Sequence, residues 1–230
     1  MLRREFSLSA ASVAAIASLG GATLPAAAQA QAPAYKSGKD FLTLDKPAPT
    51  ETSAGQVEVV EFFWYNCPHC NSFEPMFEAW AKKLPKDVTM RRAPVAFRPD
   101  FEPQQRLYFV LETMGKIEEL HGKVFNAIHV EKQTLNTVEQ ISAWMEKQGV
   151  PKAKFMEMYN SFSVATKARK STQLQDAYAL DGVPALGING RYFTSGTQAQ
   201  TLPRSLLVAD SLILQSRQAM SAAAQPAKTK

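Results

Sequence analysis

From Val57 to Trp64 the chain reads Val-Glu-Val-Val-Glu-Phe-Phe-Trp, a β-branched and aromatic run of strand length. Phe73, Met76, Phe77, Trp80 and Leu84 follow at helical spacing, so the pattern predicts a strand over 57–64 and a helix from Pro68 to about Lys83. Shorter apolar runs at Phe41–Leu44 and Val88–Phe97 add a strand on either side. From Pro99 to Gly182 no strand pattern appears. Three apolar sets there recur at helical spacing: Leu107, Val110, Leu111 and Met114; Ile117, Leu120, Val124, Phe125 and Ile128; Val138, Ile141, Trp144 and Met145. Thr137-Val138-Glu139-Gln140 fits a capping box, and Gly149 before Pro151 fits a helix stop followed by a new start. Val183–Ile188 and Arg191–Thr194 then flank Asn189-Gly190, a strong hairpin signal, before Leu206, Ala209 and Ile213 mark a closing helix.

Strands and helices on both sides of an all-helical stretch predict one α/β unit with an insertion, rather than two domains in series. Residues 31–98 form its first part, 99–181 the helical insertion and 182–218 its second part. The insertion is a candidate lid. Residues 219–230, Ala-rich and ending Lys-Thr-Lys, read as a frayed, flexible tail. Residues 1–30 carry a different pattern: a basic start at Met1-Leu2-Arg3-Arg4, an apolar stretch from Leu8 to Leu24, and a small-x-small site at Ala28-Gln29-Ala30. This is the pattern of a cleaved signal peptide, and a bacterial-style signal points to the periplasm. Arg3 and Arg4 also invite a twin-arginine route, but paired basic residues are common in ordinary signals, and we favour the general secretory one. No segment has the apolar length of a membrane span.

The 230 residues carry 26 Lys and Arg against 21 Asp and Glu, a net charge of +5 that falls by one when Arg3, Arg4 and Glu5 leave with the signal. The basic residues are scattered, which gives no footprint for nucleic acid.

The chain has only two cysteines, in Cys67-Pro68-His69-Cys70 at the predicted strand-to-helix junction. So few thiols exclude a disulfide-stapled scaffold and leave an isolated clip, half of a metal site, or a redox centre. A structural clip closing so short a loop removes little unfolded-chain entropy. A zinc or copper site needs two more ligands, with only His69, His121 and His129 on offer. The redox reading leads. Pro68 suits the first helical position, which puts Cys67 at the cap, where unpaired N–H groups point at its sulfur. With the helix dipole and His69, this lowers the Cys67 pKa from about 8.5 into the range of roughly 3.5 to 7.5, and a stabilised thiolate makes the disulfide form oxidising. Cys70, almost a turn further along, is expected to be more buried, with a higher pKa, and to act as the resolving thiol. Glu61 is the odd carboxylate in an apolar strand, on the face of Val57, Val59 and Phe63. Buried, it is protonated or paired, and beneath Cys70 it can take that thiol's proton. Glu74 either assists or is a solvated helix-face charge. Trp64, Tyr65, Phe97, Phe101 and Met145 are candidates for a peptide groove, although such residues are more often core. Pro75 should kink the helix.

Glu61-Phe62-Phe63, Cys67-Pro68-His69-Cys70 and Phe73-Glu74, with Gly182-Val183-Pro184-Ala185 and Asn189-Gly190 far downstream, resemble the DsbA family of periplasmic thiol:disulfide oxidoreductases. The resemblance runs from about Tyr35 to the last helix. It implies a thioredoxin fold with an inserted helical domain, and a protein that donates its Cys67–Cys70 disulfide to reduced or unfolded exported proteins. Members of this family set the low end of the thiol range above, so that magnitude belongs to the resemblance. It implies further that Pro184 is a cis-proline beside the thiols and that the Val183 backbone pairs with an extended substrate. A basic residue two strands away would partner Glu61. Arg92 matches that position where the family pattern has lysine, and should hold the pair firmly charged. A DsbB-type, quinone-linked membrane partner is implied for reoxidation, with no metal or organic cofactor and a monomeric protein. Two alternatives stand beside it. An isomerase or reductase on the same fold would want a dimerisation domain, for which the short stretch before the first strand leaves little room. A peptide-binding chaperone would carry the cysteines without using them.

Overall fold

The computed structural model describes residues 35–224. The expected signal segment, its cleavage site and residues 225–230 of the expected tail lie outside the described residues. The described residues build one five-stranded sheet. Its strands are β1 (Leu42–Thr43), β2 (Val57–Phe63), β3 (Val88–Pro94), β4 (Ala185–Ile188) and β5 (Tyr192–Ser195), in spatial order β1-β5-β4-β2-β3. β2 and β3 run parallel through a crossover helix, α1 (Pro68–Ala81), whereas β4 and β5 form an antiparallel hairpin against β2. A fold of this kind is the α/β class expected.

β2 is buried along its whole length. Because side chains alternate between faces, Val57 and Val59 pack with Phe73 and Phe77 of α1 and with Leu212 and Ile213 of α7 (Leu202–Ala224). Val60 and Phe62 pack on the other face with Leu174 and Tyr178. A strand sandwiched on both faces reads as a continuous apolar run, which is the signal the sequence showed.

Between β3 and β4 lie a 3₁₀ turn (Pro99–Phe101) and five helices: α2 (Glu102–Thr113), α3 (Ile117–His129), α4 (Val138–Lys147), α5 (Lys152–Tyr159) and α6 (Phe162–Ala177). The three apolar sets fall on α2, α3 and α4, and both halves of the Thr137/Gln140 capping box form. Two inserted helices hold the sheet edge directly: Gln105 and Ser171 both donate to the carbonyl oxygen of Pro94, at 2.9 and 2.8 Å.

Several strand ends shift by one or two residues from the expectation, and three differences have a visible cause. β3 pairs only as far as Pro94, not Phe97: the Val95 amide makes the last bond to β2, at Phe63, while the Pro94 oxygen turns to the insertion. β1 keeps only Leu42 and Thr43, since Phe41 bridges back to Ser37 instead of extending the pairing with β5. The closing helix continues to Ala224, past residue 218 where the tail was expected: Arg217 clamps Asp87 at 2.6 and 2.7 Å, and Met220 packs against the core one turn later. The hairpin turn matches its signal. Asn189 and Gly190 have φ of +51° and +62°, the left-handed pair that a two-residue turn between twisted strands requires.

Candidate active site

Cys67 ends the loop after β2 and caps α1. Its backbone is extended (φ −76°, ψ 116°), Pro68 takes the first helical position, and the Cys70 amide donates to the Cys67 sulfur at 3.4 Å. Hydrogen bonding from Cys70, from its thiol and from its amide, holds the Cys67 thiol down to about 6 against the opposing effect of burial. The His69 amide and then the His69 ring add smaller contributions. The ring is exposed, so the order of causes differs from the one expected: the helical amides and the second thiol act before the histidine charge. Cys70 is fully buried, and burial, followed by the hydrogen bond to Cys67, pushes its thiol well above the ordinary value. Both cysteines are free thiols in this structure.

Val183 and Pro184 stand on the far side of the sulfur. The peptide bond between them is cis, and the Val183 carbonyl oxygen lies 3.4 Å from Cys67 Sγ, within reach of the protonated thiol. Val183, Pro184, His69, Gly196, Thr201 and Leu202 line an open cleft of about 340 Å³ beside the thiols. A larger cavity of about 490 Å³, lined by Arg91, Arg92, Lys167 and Lys170, opens on the other side of Arg92, away from Val183 and Pro184. Of the aromatic groove candidates, Tyr65 and Met145 are buried in the core, and Phe101 is stacked on Trp64 with ring centroids 3.7 Å apart. Phe97 and Trp64 stay half-buried, so of the five only Tyr65, Phe101 and Met145 are enclosed in the core.

Beneath Cys70 lies a buried charge cluster. Glu61 sits directly opposite Arg92 in the parallel ladder of β2 and β3, one strand away and not two, and Arg92 Nε donates to Glu61 Oε2 at 2.8 Å. The same guanidinium reaches Glu74 Oε1 at 2.6 Å and also bonds Glu78. Glu74 is therefore a buried member of the cluster rather than a solvated helix-face charge. Three carboxylates meet this one guanidinium, and Glu78 alone has a second cation, Lys82 at 3.8 Å. Burial, reinforced by the Glu74 charge, raises the Glu61 carboxyl to about 8 despite Arg92, so Glu61 is an acid at neutral pH. The expectation that Arg92 holds Glu61 charged meets two larger opposing effects, burial first and the Glu74 charge second. Glu61 lies near enough for its charge to raise the Cys70 thiol further.

Several polar groups escaped the sequence reading. Glu58, also on β2, is 2% exposed and is held by Arg91 at 3.0 Å. His121 and His129, weighed only as metal ligands, instead hold Tyr65: His121 Nδ1 lies 2.8 Å from the phenol oxygen, and His129 Nε2 lies 2.7 Å from the Tyr65 carbonyl oxygen. Their spacing of eight on an otherwise apolar helix face was the available signal. Asn66 adds bonds to Gln104 and Asn136, so the loop ahead of Cys67 is tied to the insertion along its length.

Residues 58–207 match the family profile described as DSBA-like thioredoxin domain. The "Thiol:disulfide interchange protein DsbA" of Burkholderia cepacia is 44% identical over 188 residues, covering 82% of this chain and 89% of that protein. Its counterpart in Bordetella pertussis is 42% identical over 205 residues, covering 88% and 95%. Among solved structures, that of Pseudomonas aeruginosa DsbA superposes with a TM-score of 0.77 at 38% identity, covering 81% of this chain and 97% of that one. The Xylella fastidiosa oxidoreductase DsbA gives 0.74 at 26% identity, covering 80% and 98%.

Proposed function

The chain belongs to the DsbA family of thiol:disulfide interchange proteins, and from that premise we propose that it is the periplasmic donor of disulfides to newly exported proteins. It is a protein-disulfide oxidoreductase. The observation that carries the proposal is the Cys67 sulfur at the head of α1, 3.4 Å from the Cys70 amide, with its thiol held down to about 6.

A client thiolate attacks Cys67 of the Cys67–Cys70 disulfide. The S–S bond breaks, a mixed disulfide forms, and Cys70 leaves and takes a proton. Glu61, raised to about 8, holds a proton to give at neutral pH. A second client thiolate then attacks the client sulfur of the mixed disulfide. The client keeps the new disulfide, Cys67 departs as the thiolate that the helix end stabilises, and the pair has gained two electrons. In the reverse direction Cys70 resolves the mixed disulfide after losing its proton to Glu61. Pro68 shapes the cap, His69 adds a minor stabilising charge, and Val183 and Pro184 dock the extended client backbone in the adjoining cleft. A DsbB-type quinone-linked membrane protein returns the pair to the disulfide, and the enzyme works as a monomer without a metal or organic cofactor.

The test is a Cys70→Ser variant whose Cys67 is first activated as a mixed disulfide with an aromatic thiol, which a reduced client peptide then displaces as the leaving thiolate. A stable covalent adduct through Cys67, together with disulfide formation by the unaltered enzyme and none by Cys67→Ser, supports the reading. Client oxidation that survives in Cys67→Ser rejects it.

A further inference from the structure

The insertion reaches into the charge cluster through one residue. His121, on α3, is 4% exposed and sits among the rings of Phe63, Tyr65, Phe125 and Tyr108, with centroids 5.2 to 5.8 Å away. Each ring nitrogen faces one polar group. Nδ1 is 2.8 Å from the Tyr65 hydroxyl. Nε2 is 3.3 Å from Glu74 Oε1, close but not aligned as a hydrogen bond, and has no other polar partner.

These contacts determine the tautomer. A carboxylate only accepts, so the proton of the neutral ring belongs on Nε2, and Nδ1 must accept from the Tyr65 hydroxyl. Burial keeps the imidazole uncharged, over the opposing pull of Glu74, and keeps the phenol protonated. Burial alone would also raise Glu74. The His121 hydrogen bond and the Arg92 charge overcome it and leave that carboxyl below its ordinary value. The Glu74 charge in turn is the second cause, after burial, of the raised Glu61.

We propose that His121 is a positioning residue for the thiol exchange: held by Tyr65 in the Nε2–H form, it keeps Glu74 anionic, and so places the cluster's proton on Glu61 beneath Cys70. This rests on the reading of Glu61 as the proton relay, and extends it to a residue of the insertion that touches neither thiol. Every element packed around the cluster contributes a group to the balance: Cys70, Glu74 and Glu78 from α1, Glu61 from β2, Arg92 from β3, Tyr108 and Glu112 from α2, and Tyr65 from the loop.

The experiment uses the full protein with ¹³C-labelled glutamate side chains, following the Glu61 and Glu74 carboxyls by NMR against pH, beside the pH–rate profile of mixed-disulfide resolution. His121→Phe keeps the ring packing and removes both polar contacts. It is expected to lower the Glu61 midpoint by about one pH unit while Glu74 rises, and to move the rate profile with it. His121→Gln, which keeps an N–H for Glu74, restores most of the shift. Tyr65→Phe frees the tautomer and gives a smaller shift in the same direction, which keeps the test available should His121→Phe fold poorly. A folded His121→Phe, or Tyr65→Phe, with both carboxyl midpoints where the unaltered protein has them overturns the proposal. Glu61→Gln separates the two readings. If it leaves the rate profile unchanged, the relay role of Glu61 is lost, and with it the claim that His121 acts on catalysis.

Discussion

The Nε2 of His129 lies 2.7 Å from the carbonyl oxygen of Tyr65, two residues before the capping cysteine. A carbonyl only accepts, so this nitrogen carries its proton. Two turns earlier on the same helix His121 meets the phenol of the same tyrosine. The loop that delivers Cys67 is thus gripped at backbone and side chain by a helix of the insertion. Replacing His129 by Leu leaves a partly buried carbonyl unpaired and should cost about 1–3 kcal/mol. Denaturant unfolding of the two proteins measures this, and coincident midpoints would contradict the grip.

The Cys67 thiol, held down to about 6, should react with an alkylating agent along a pH curve whose midpoint lies near that value, while Cys70 stays inert well above it. The sign of the linked stability follows. A depressed acid group stabilises the folded reduced form at high pH, and the effect is lost as pH falls through about 6. At pH 7, one unit above that value, the reduced protein gains about 1.4 kcal/mol from this group. Thermal melts of the reduced protein at pH 7 and pH 5, each compared with Cys67→Ala, should show the advantage at the higher pH only.

Arg92 is the cation that meets Glu61, Glu74 and Glu78 together, and the half-exposed Glu78 also pairs with Lys82 at 3.8 Å. Arg92→Met leaves the buried Glu61 and Glu74 carboxyls without their cation and should lower stability by about 3–5 kcal/mol at neutral pH. Arg92→Lys keeps the charge but not the fork that meets separate carboxylates, and should fall in between. Melting curves that place lysine level with methionine would argue that geometry, not charge, governs the cluster.

Gly187 and Gly190 should tolerate alanine unequally. A Cβ on Gly187 would stand 2.6 Å from the Tyr178 ring in a packed core, an overpacking of about 1–3 kcal/mol. On Gly190 it would stand 2.3 Å from the Ala48 carbonyl oxygen, with a φ of +62° besides. Backbone yields less than a side chain, so Gly190→Ala should be the worse of the two in an unfolding titration.

The opposite outcomes of Glu61 and Trp64 show where sequence reasoning stopped. Local chemistry was legible. Cys67 caps a helix because Pro68 follows it, Asn189-Gly190 turns a hairpin because both residues accept positive φ, and Thr137/Gln140 close a capping box, each within four residues of chain. Glu61 could also be found, since a carboxylate in an apolar run is anomalous wherever the run folds. Its protonation could not. That depends on burial first and the Glu74 charge second, and on a histidine from the insertion facing Glu74. Trp64 and Phe101 look like groove walls in one dimension and stack on each other in three.

By itself the amino-acid order determined the strand-helix frame, the insertion and the reactive pair, because spacing, capping and turn chemistry act over a few residues. Only the tertiary structure decided which carboxylate holds the proton and which helix grips the cysteine loop. Burial and neighbouring charge are properties of groups brought together from distant parts of the chain, and no local pattern encodes them.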